Sequence, residues 1–252
     1  MIDFHNHIIP GVDDGANDLL ETKEMLLHAI SQGITDVIAT PHLQNPRFDD
    51  KQITDNDILT SYHELVDYID SQKIAIKIHL SAEVFFLPNL IKLTNHPFAT
   101  LGNGRYLLIE FHHAIIPLSF KTEVIKLLDA GVIPIIAHPE RYIQIQDDFN
   151  NAIRLHKLGS IFQIDTGSIL GHYGTKVQKT AIKFLSAGLV NFVGSDAHNS
   201  RNRNFCLEPA MKKCEQYFGH DAEILVNDNP LRLLAGKDII SLKKKKSWFS
   251  IK

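Results

Sequence analysis

The chain has 252 residues, 44% hydrophobic and 22% charged. That composition excludes wholesale disorder, and the length suits one barrel-sized domain. A net charge of -3 argues against nonspecific nucleic-acid binding, and no nucleic-acid partner is expected. The two cysteines, Cys206 and Cys214, cannot build a disulfide framework or a Cys-rich metal site, so a reducing, cytoplasmic setting is expected. No apolar run reaches the roughly 18 residues of a membrane span, and the opening MIDFHNHIIPGVDD has neither region of a signal peptide.

The first predicted strand, Met1–Phe4, runs into His5-Asn6-His7, where alternation puts both imidazoles on one face. A predicted helix follows, with Asp18 as N-cap, Glu21 as the acid of a capping box and Gly33 as stop signal. The second strand, Asp36–Thr40, leads to Pro41 and His42, and a helical pattern spans Asp57–Ser71. The third strand, Ile74–Ala82, precedes Glu83, and the fourth, Tyr106–Glu110, ends on a carboxylate. A helix over Phe120–Ala130 leads to the strand Ile133–His138, followed by Pro139-Glu140-Arg141. Helix Asn150–Leu158, strand Ile161–Asp165, helix Thr175–Ala187 and strand Val190–Ser195 complete the series, the last running into Asp196-Ala197-His198. Near-continuous apolar runs such as VIPIIAH suit parallel strands buried on both faces, and strands alternating with helices predict an α/β barrel. Neither GxGxxG nor GxxxxGK[ST] is present, which disfavours the nucleotide-binding open sheets.

Six of seven predicted strands thus deliver His, Asp or Glu at their C-terminal ends, the rim where barrel active sites form. His5, His7, His42, Glu83, Glu110, His138, Asp196 and His198 form the candidate ligand set, too many for one tetrahedral ion. Two or three ions sharing bridging groups are expected, and the mixed nitrogen and oxygen donors suit Mn²⁺, Fe or Zn²⁺ over Ca²⁺. An aspartate of the Asp13-Asp14 pair orients a ligand, serves as an acid or simply turns the chain. Arg141 and Arg203 fall just beyond ligand-bearing strand ends, where a guanidinium can clamp phosphate, with Arg47 and Arg201 as competitors. His112 and His113 follow Glu110 closely enough to line a cleft. A structural reading is nevertheless preferred for them, as for His28, His63, His79, His96, His156, His172 and His220.

HNH, VDDG, TPH, AE, LIEF, AHPERY and SDAHN, in this order, resemble the PHP (polymerase and histidinol phosphatase) superfamily, and most closely its bacterial protein-tyrosine phosphatases of capsule and exopolysaccharide synthesis. The resemblance runs from Met1 to about Gly236. It implies a distorted (β/α)7 barrel and a manganese-dependent site of up to three metals on the eight ligands above. It also implies catalytic support from Asp14, phosphate binding by Arg141 and by Arg203 rather than Arg201, and a phosphotyrosine-bearing tyrosine kinase as partner. The segment LQNPRFDDKQIT after TPH departs from relatives that carry a basic run, which leaves Arg47 and Phe48 as candidates for receiving the peptide. The rival functions are a small-molecule phosphatase of the histidinol-phosphate type and a metal-bearing regulatory module without turnover.

A cysteine phosphatase needs an arginine six positions after its nucleophile; Lys212 and His220 stand there instead. The domain is expected over residues 1–241. The tail 242–252, with Lys243–Lys246, Trp248 and Phe249, reads as a solvated segment, or more sharply as a weak anchor on an anionic membrane face. Oligomeric state is not legible.

Overall fold

Alternation along parallel strands organises the molecule, a computed structural model describing residues 1–242, without the side chains of 49–51. In chain order the elements are β1 (Ile2–Asn6), α1 (Leu19–Ser31), β2 (Asp36–Ala39), β3 (His42–Leu43), α2 (Asp55–Ser71), β4 (Lys77–Leu80), β5 (Glu83–Phe85), β6 (Thr100–Leu101) and β7 (Tyr106–Glu110). Then come α3 (Phe120–Asp129), β8 (Ile133–Ala137), α4 (Ile143–Asp147), α5 (Asn150–Lys157), β9 (Ile161–Asp165), α6 (Thr166–Leu170), α7 (Thr175–Ala187), β10 (Phe192–Gly194), α8 (Leu207–Phe218) and α9 (Asp228–Leu234). The basic tail, Lys243–Lys246, lies outside the described residues.

Two parallel ladders share the work. One runs β1-β2-β4; the other runs β10-β9-β8-β7-β5-β3, with β6 antiparallel to β7. The predicted second strand is β2 and the predicted third contains β4, and each is followed at the rim by a further short strand, β3 and β5. Pro41, which has no N–H to donate, stands between β2 and β3. The ring closes where Asp196 N–H donates to His5 O at 2.8 Å and His7 N–H donates to Ala197 O at 2.8 Å. Seven strand positions with intervening helices are the distorted barrel expected from the sequence.

The inward faces are apolar at one end. Ile2, Phe4, Ile38, Tyr106, Leu108, Ile135, Ala137 and Phe192 form an inner core, closed below by Leu101 and by Leu233 of α9. Phe4 and Phe192 stack there with centroids 4.3 Å apart. Outward residues of the same strands, such as Leu107, Ile109, Ile136, Phe162 and Ile164, join the larger core beneath the helices. Moving along each strand, the inward set turns polar: Glu110 follows Leu108, and Gln163 and Asp165 follow Ile161. β1 has a register irregularity between Asp3 and Asn6, which lets its inward set pass from Phe4 to His5 and His7.

Local signals behaved as their chemistry requires, with exceptions. Asp18 caps α1, its Oδ1 accepting from Glu21 N–H at 2.9 Å. Glu21 does not complete a capping box: its carboxylate accepts from Asn17 N–H and Nδ2 instead. The reciprocal box belongs to α2, between Thr54 and Asp57. Gly188 ends α7 at a φ of 68°. The short α4, α6 and α9, the hairpin strand β6 and the longer α8 are additions to the elements read from sequence. Among the described residues no helix is long and apolar enough to cross a membrane.

The inner core is thin, so its largest rings should carry much of the stability. Phe192→Ala should lower the unfolding free energy by about 3–5 kcal/mol, read from urea denaturation followed by circular dichroism. A loss under about 1 kcal/mol would contradict this packing.

Candidate metal centre and cleft

Geometry gathers all eight candidate ligands at the C-terminal rim of the barrel. His5 Nε2 and His7 Nε2 lie 3.3 Å apart. Glu83 Oε2 is 3.4 Å from each, and Asp196 Oδ1 is 3.7 Å from His5 Nε2 and 3.4 Å from His7 Nε2. His42 Nδ1 lies 3.2 Å from Glu83 Oε2 and 2.9 Å from Glu110 Oε1, and His138 Nε2 lies 2.7 Å from Glu83 Oε1. Asp14 Oδ1 sits between His42 Nε2 at 3.4 Å and His198 Nε2 at 3.3 Å. Three donor groups result: His5, His7 and Asp196; His42, Glu83 and Glu110; and His7, Asp14, His42 and His198. Asp14 is therefore part of a donor group and not a bystander to it.

The protons of three imidazoles are held away from the centre. Gln163 Oε1 accepts from His138 N–H at 3.2 Å, which fixes that oxygen as an acceptor, and His5 Nδ1 donates to it at 3.1 Å. His7 Nδ1 donates to Asp13 Oδ2 at 2.7 Å, and His198 Nδ1 donates to Asp196 O at 2.8 Å. Burial lowers His5 and His7, but Glu83 and Asp196 around the first and Asp13, Asp196 and Glu83 around the second outweigh it and raise both towards the protonated form. Deprotonated, as metal ligands must be, the two rings turn Nε2 lone pairs to the carboxylate oxygens, a set of four acceptors that then needs a cation between them. Their separations match neighbouring ligands on one ion bound at about 2.0–2.2 Å. By donor chemistry and spacing, the residues present fit divalent metal ions.

The loop Gly11–Ala16 explains the VDDG motif. Asp13 Oδ1 accepts from Gly15 N–H at 2.8 Å, while Oδ2 accepts from His7 Nδ1 and, at 3.1 Å, from His42 N–H. Gly15 must be glycine because a Cβ there would lie 2.0 Å from His7 O. Gly194 makes similar room: its Cβ would lie 2.8 Å from His5 Cβ. His138 and Asp196 occupy the left-handed region at φ of 31° and 50°, a costly conformation for side chains with a Cβ and one that clusters at functional sites.

Electrostatics keep the carboxylates ionised. Burial alone would raise the Asp13 carboxyl, but His7, then His42, hold it down at about 2. Burial likewise opposes ionisation of Glu83 and Asp196. His5 and His138 lower the first, and His198, Arg141 and Arg203 lower the second. Burial pushes His138 and His198 down, towards the neutral form a metal ligand needs. Glu140 and Asp165, buried behind this layer, are pushed up by desolvation, Glu140 to about 7.

Arg141 and Arg203 converge on one atom. Arg141 Nη1 donates to Asp196 Oδ2, and Arg203 Nη2 donates to the same oxygen at 2.7 Å. Tyr173 lies under the Arg141 guanidinium at 4.8 Å, and Asp165 Oδ2 is 3.4 Å from Arg141 Nη1. A cleft of about 330 Å³ opens over the donors, walled by Arg141 and Arg203, by Asn45, Pro46 and Arg47, and by His112 and His113. Arg47 reaches Asp14 Oδ2 at 3.3 Å, while Arg201 lines a different groove, with Asp18 and Glu24. His112 and His113 thus line the cleft, against the structural reading preferred from sequence. Asp13 was legible in VDDG, but its role as the partner of His7 was left open. Gln163, Asp165 and Tyr173 were missed; polar residues at alternate positions of the strand IFQID were the available signal for the first two.

The family model described as "Capsular polysaccharide synthesis, CpsB/CapC" matches residues 1–235. A putative tyrosine-protein phosphatase CapC of Staphylococcus aureus is 31% identical over 264 residues, covering 100% of both chains. The tyrosine-protein phosphatase YwqE of Bacillus subtilis is 32% identical over 244 residues, covering 95% of this chain and 93% of the relative. A solved structure reported for YwqE from Bacillus subtilis and CpsB from Streptococcus pneumoniae, described as "unique metal-dependent tyrosine phosphatases", superposes with a TM-score of 0.87 at 30% identity. It covers 98% of this chain and 100% of that one. With sequence, fold and family model agreeing along almost its whole length, the chain belongs to the CpsB/CapC family of capsular polysaccharide synthesis proteins.

Proposed function

We propose that this protein is a metal-dependent protein-tyrosine phosphatase whose substrate is a phosphorylated tyrosine kinase controlling capsule or exopolysaccharide synthesis, acting in the cytoplasm. The observation that carries the proposal is the convergence of His5 Nε2, His7 Nε2, Glu83 Oε2 and Asp196 Oδ1 beneath a cleft flanked by two guanidiniums. The naming of the family relatives as tyrosine phosphatases supports the substrate class.

His5, His7, His42, Glu83, Glu110, His138, Asp196 and His198, with Asp14 as a ninth donor, are assigned to two or three ions, manganese first and iron or zinc as alternatives. What divalent ions supply there, when bound, is charge neutralisation for phosphoryl oxygens and acidification of a water. Arg141 and Arg203 bind the phosphoryl group and offset charge that grows on it as the ester bond breaks. Asp196 positions both guanidiniums through Oδ2 while presenting Oδ1 to His5 and His7, so one carboxylate aligns phosphate binding with the donor cluster. Asp13 holds the His7 proton on Nδ1 and keeps Nε2 open. Phe48, stacked on His42 with centroids 5.0 Å apart, and Arg47 form the lip that receives the peptide.

Neither cysteine is placed for nucleophilic attack. Desolvation pushes both thiols up to about 12, and neither lines the cleft.

Phosphate release from a phosphotyrosyl peptide should depend on added Mn²⁺, stop with chelator, exceed release from histidinol phosphate and fall at least 100-fold in His5→Ala and Asp196→Ala. Peptide turnover that survives exhaustive chelation would overturn the proposal, as would turnover of the small substrate only. Asp13→Asn should weaken metal binding about 10- to 100-fold, read by metal titration under equilibrium dialysis. A Cys206→Ser, Cys214→Ala double variant should keep its rate within about twofold, measured in the same phosphate-release assay.

A further inference from the structure

Phe85 has no place in the core. It sits two residues beyond Glu83 on β5, and side chains two apart on a strand share a face, about 6.6 Å apart along it. The neighbours confirm the parity: Val84 and Phe86 point the other way, into the layer under the helices, where Phe86 packs on Phe111 and Phe120. Phe85 pairs in register with Glu110, so it stands beside that donor carboxylate and one inward layer above Glu83. It lines the cleft and is half-buried, yet among the described residues it belongs to neither apolar cluster nor to the side chains packed against them. Its backbone is fixed, with Gln44 Nε2 donating to Phe85 O at 3.3 Å. A half-buried aromatic side chain at the cleft wall, outside both apolar clusters, is an incomplete hydrophobic contact.

We infer that Phe85 is the platform for the aryl group of the substrate, and so a specificity-determining residue for aryl over alkyl phosphomonoesters. The inference rests on the phosphatase reading above. With phosphorus held between Arg141 and Arg203 over Glu83 and Asp196, a phenyl ring begins one bridging oxygen further out, towards the layer above Glu83 where Phe85 lies. An alkyl ester of serine or of an amino alcohol has no face to lay there. Ring-on-ring contact in a stacked or edge-to-face geometry favours the aryl ester by about fivefold to tenfold.

The test uses inhibitors that are not turned over, so that leaving-group chemistry does not enter. Inhibition constants for phenylphosphonate and methylphosphonate are measured on the metal-loaded full chain, with a phosphotyrosyl peptide as the reporting substrate. Phe85→Leu should raise the phenylphosphonate constant about fivefold to tenfold and leave the methylphosphonate constant within twofold. The KM for the peptide should rise more than kcat falls, and Phe85→Tyr should restore both. Equal changes for the two phosphonates, no change for phenylphosphonate, or failure of Phe85→Tyr to rescue would overturn the inference. A wild-type chain inert towards the peptide would instead overturn the phosphatase reading, a separable result because direct binding of the two phosphonates, followed by calorimetry, still reports on the platform.

Discussion

Two imidazole nitrogens face each other across 3.3 Å with their protons held on the far sides of the rings. The nearby carboxylates draw positive charge to that contact, raising both imidazoles, and with the rings deprotonated the contact is unfavourable until a cation enters. Everything around it keeps it from relaxing. Asp13 and Gln163 stop the rings from turning over, the closure of the barrel fixes the β1 backbone, and Gly15 and Gly194 let neighbouring chain approach too closely for either histidine to retreat. The rim is therefore built to be incomplete, and the metal requirement proposed here is a consequence of that construction.

Much of this was legible because a parallel barrel translates sequence into space simply. Each strand alternates, and each ends at the same rim, so YLLIE already states which residue meets the site. Glu110 and Asp196 were readable on that rule; His5 and His138 meet the site only because β1 shifts register after Asp3 and His138 takes a left-handed backbone. What was not readable is pairwise. Whether Asp13 or Asp14 meets His7 depends on how six loop residues fold back, and both have the same local chemistry. His112 and His113 follow Glu110 closely enough to line the cleft, and only the fold of the loop after β7 decides that they do. The short strands β3 and β5 were not legible because they resume pairing just past Pro41 and Ser81-Ala82 with two or three residues each, too few for a periodic signal. The short α4, α6 and α9 carry too few turns for a periodic signal, and they are held by packing more than by propensity.

Asp196 ties the two halves of the site together. Its Oδ1 belongs with the histidines and its Oδ2 with the guanidiniums, and its backbone is in the left-handed region to achieve this. A carboxylate in that position cannot slide toward one set of partners without abandoning the other. Phosphate-binding cations and metal-binding donors thus stay in register through a single rigid group, a form of preorganisation that costs nothing at the moment of reaction.

The strain this implies is carried by one end of the barrel and offset at the other. At the rim lie buried carboxylates and two non-glycine residues at positive φ, all of which destabilise the folded state. Below them most of the strand positions turn apolar and close over Phe4, Phe192 and Tyr106, whose hydroxyl donates to Lys237 O at 2.7 Å. The division follows the strand axis, not the sheet face. A substitution in the lower layer should therefore act through stability, and one in the upper layer through metal and substrate binding. The single register irregularity in β1, between Asp3 and Asn6, is where one regime hands over to the other.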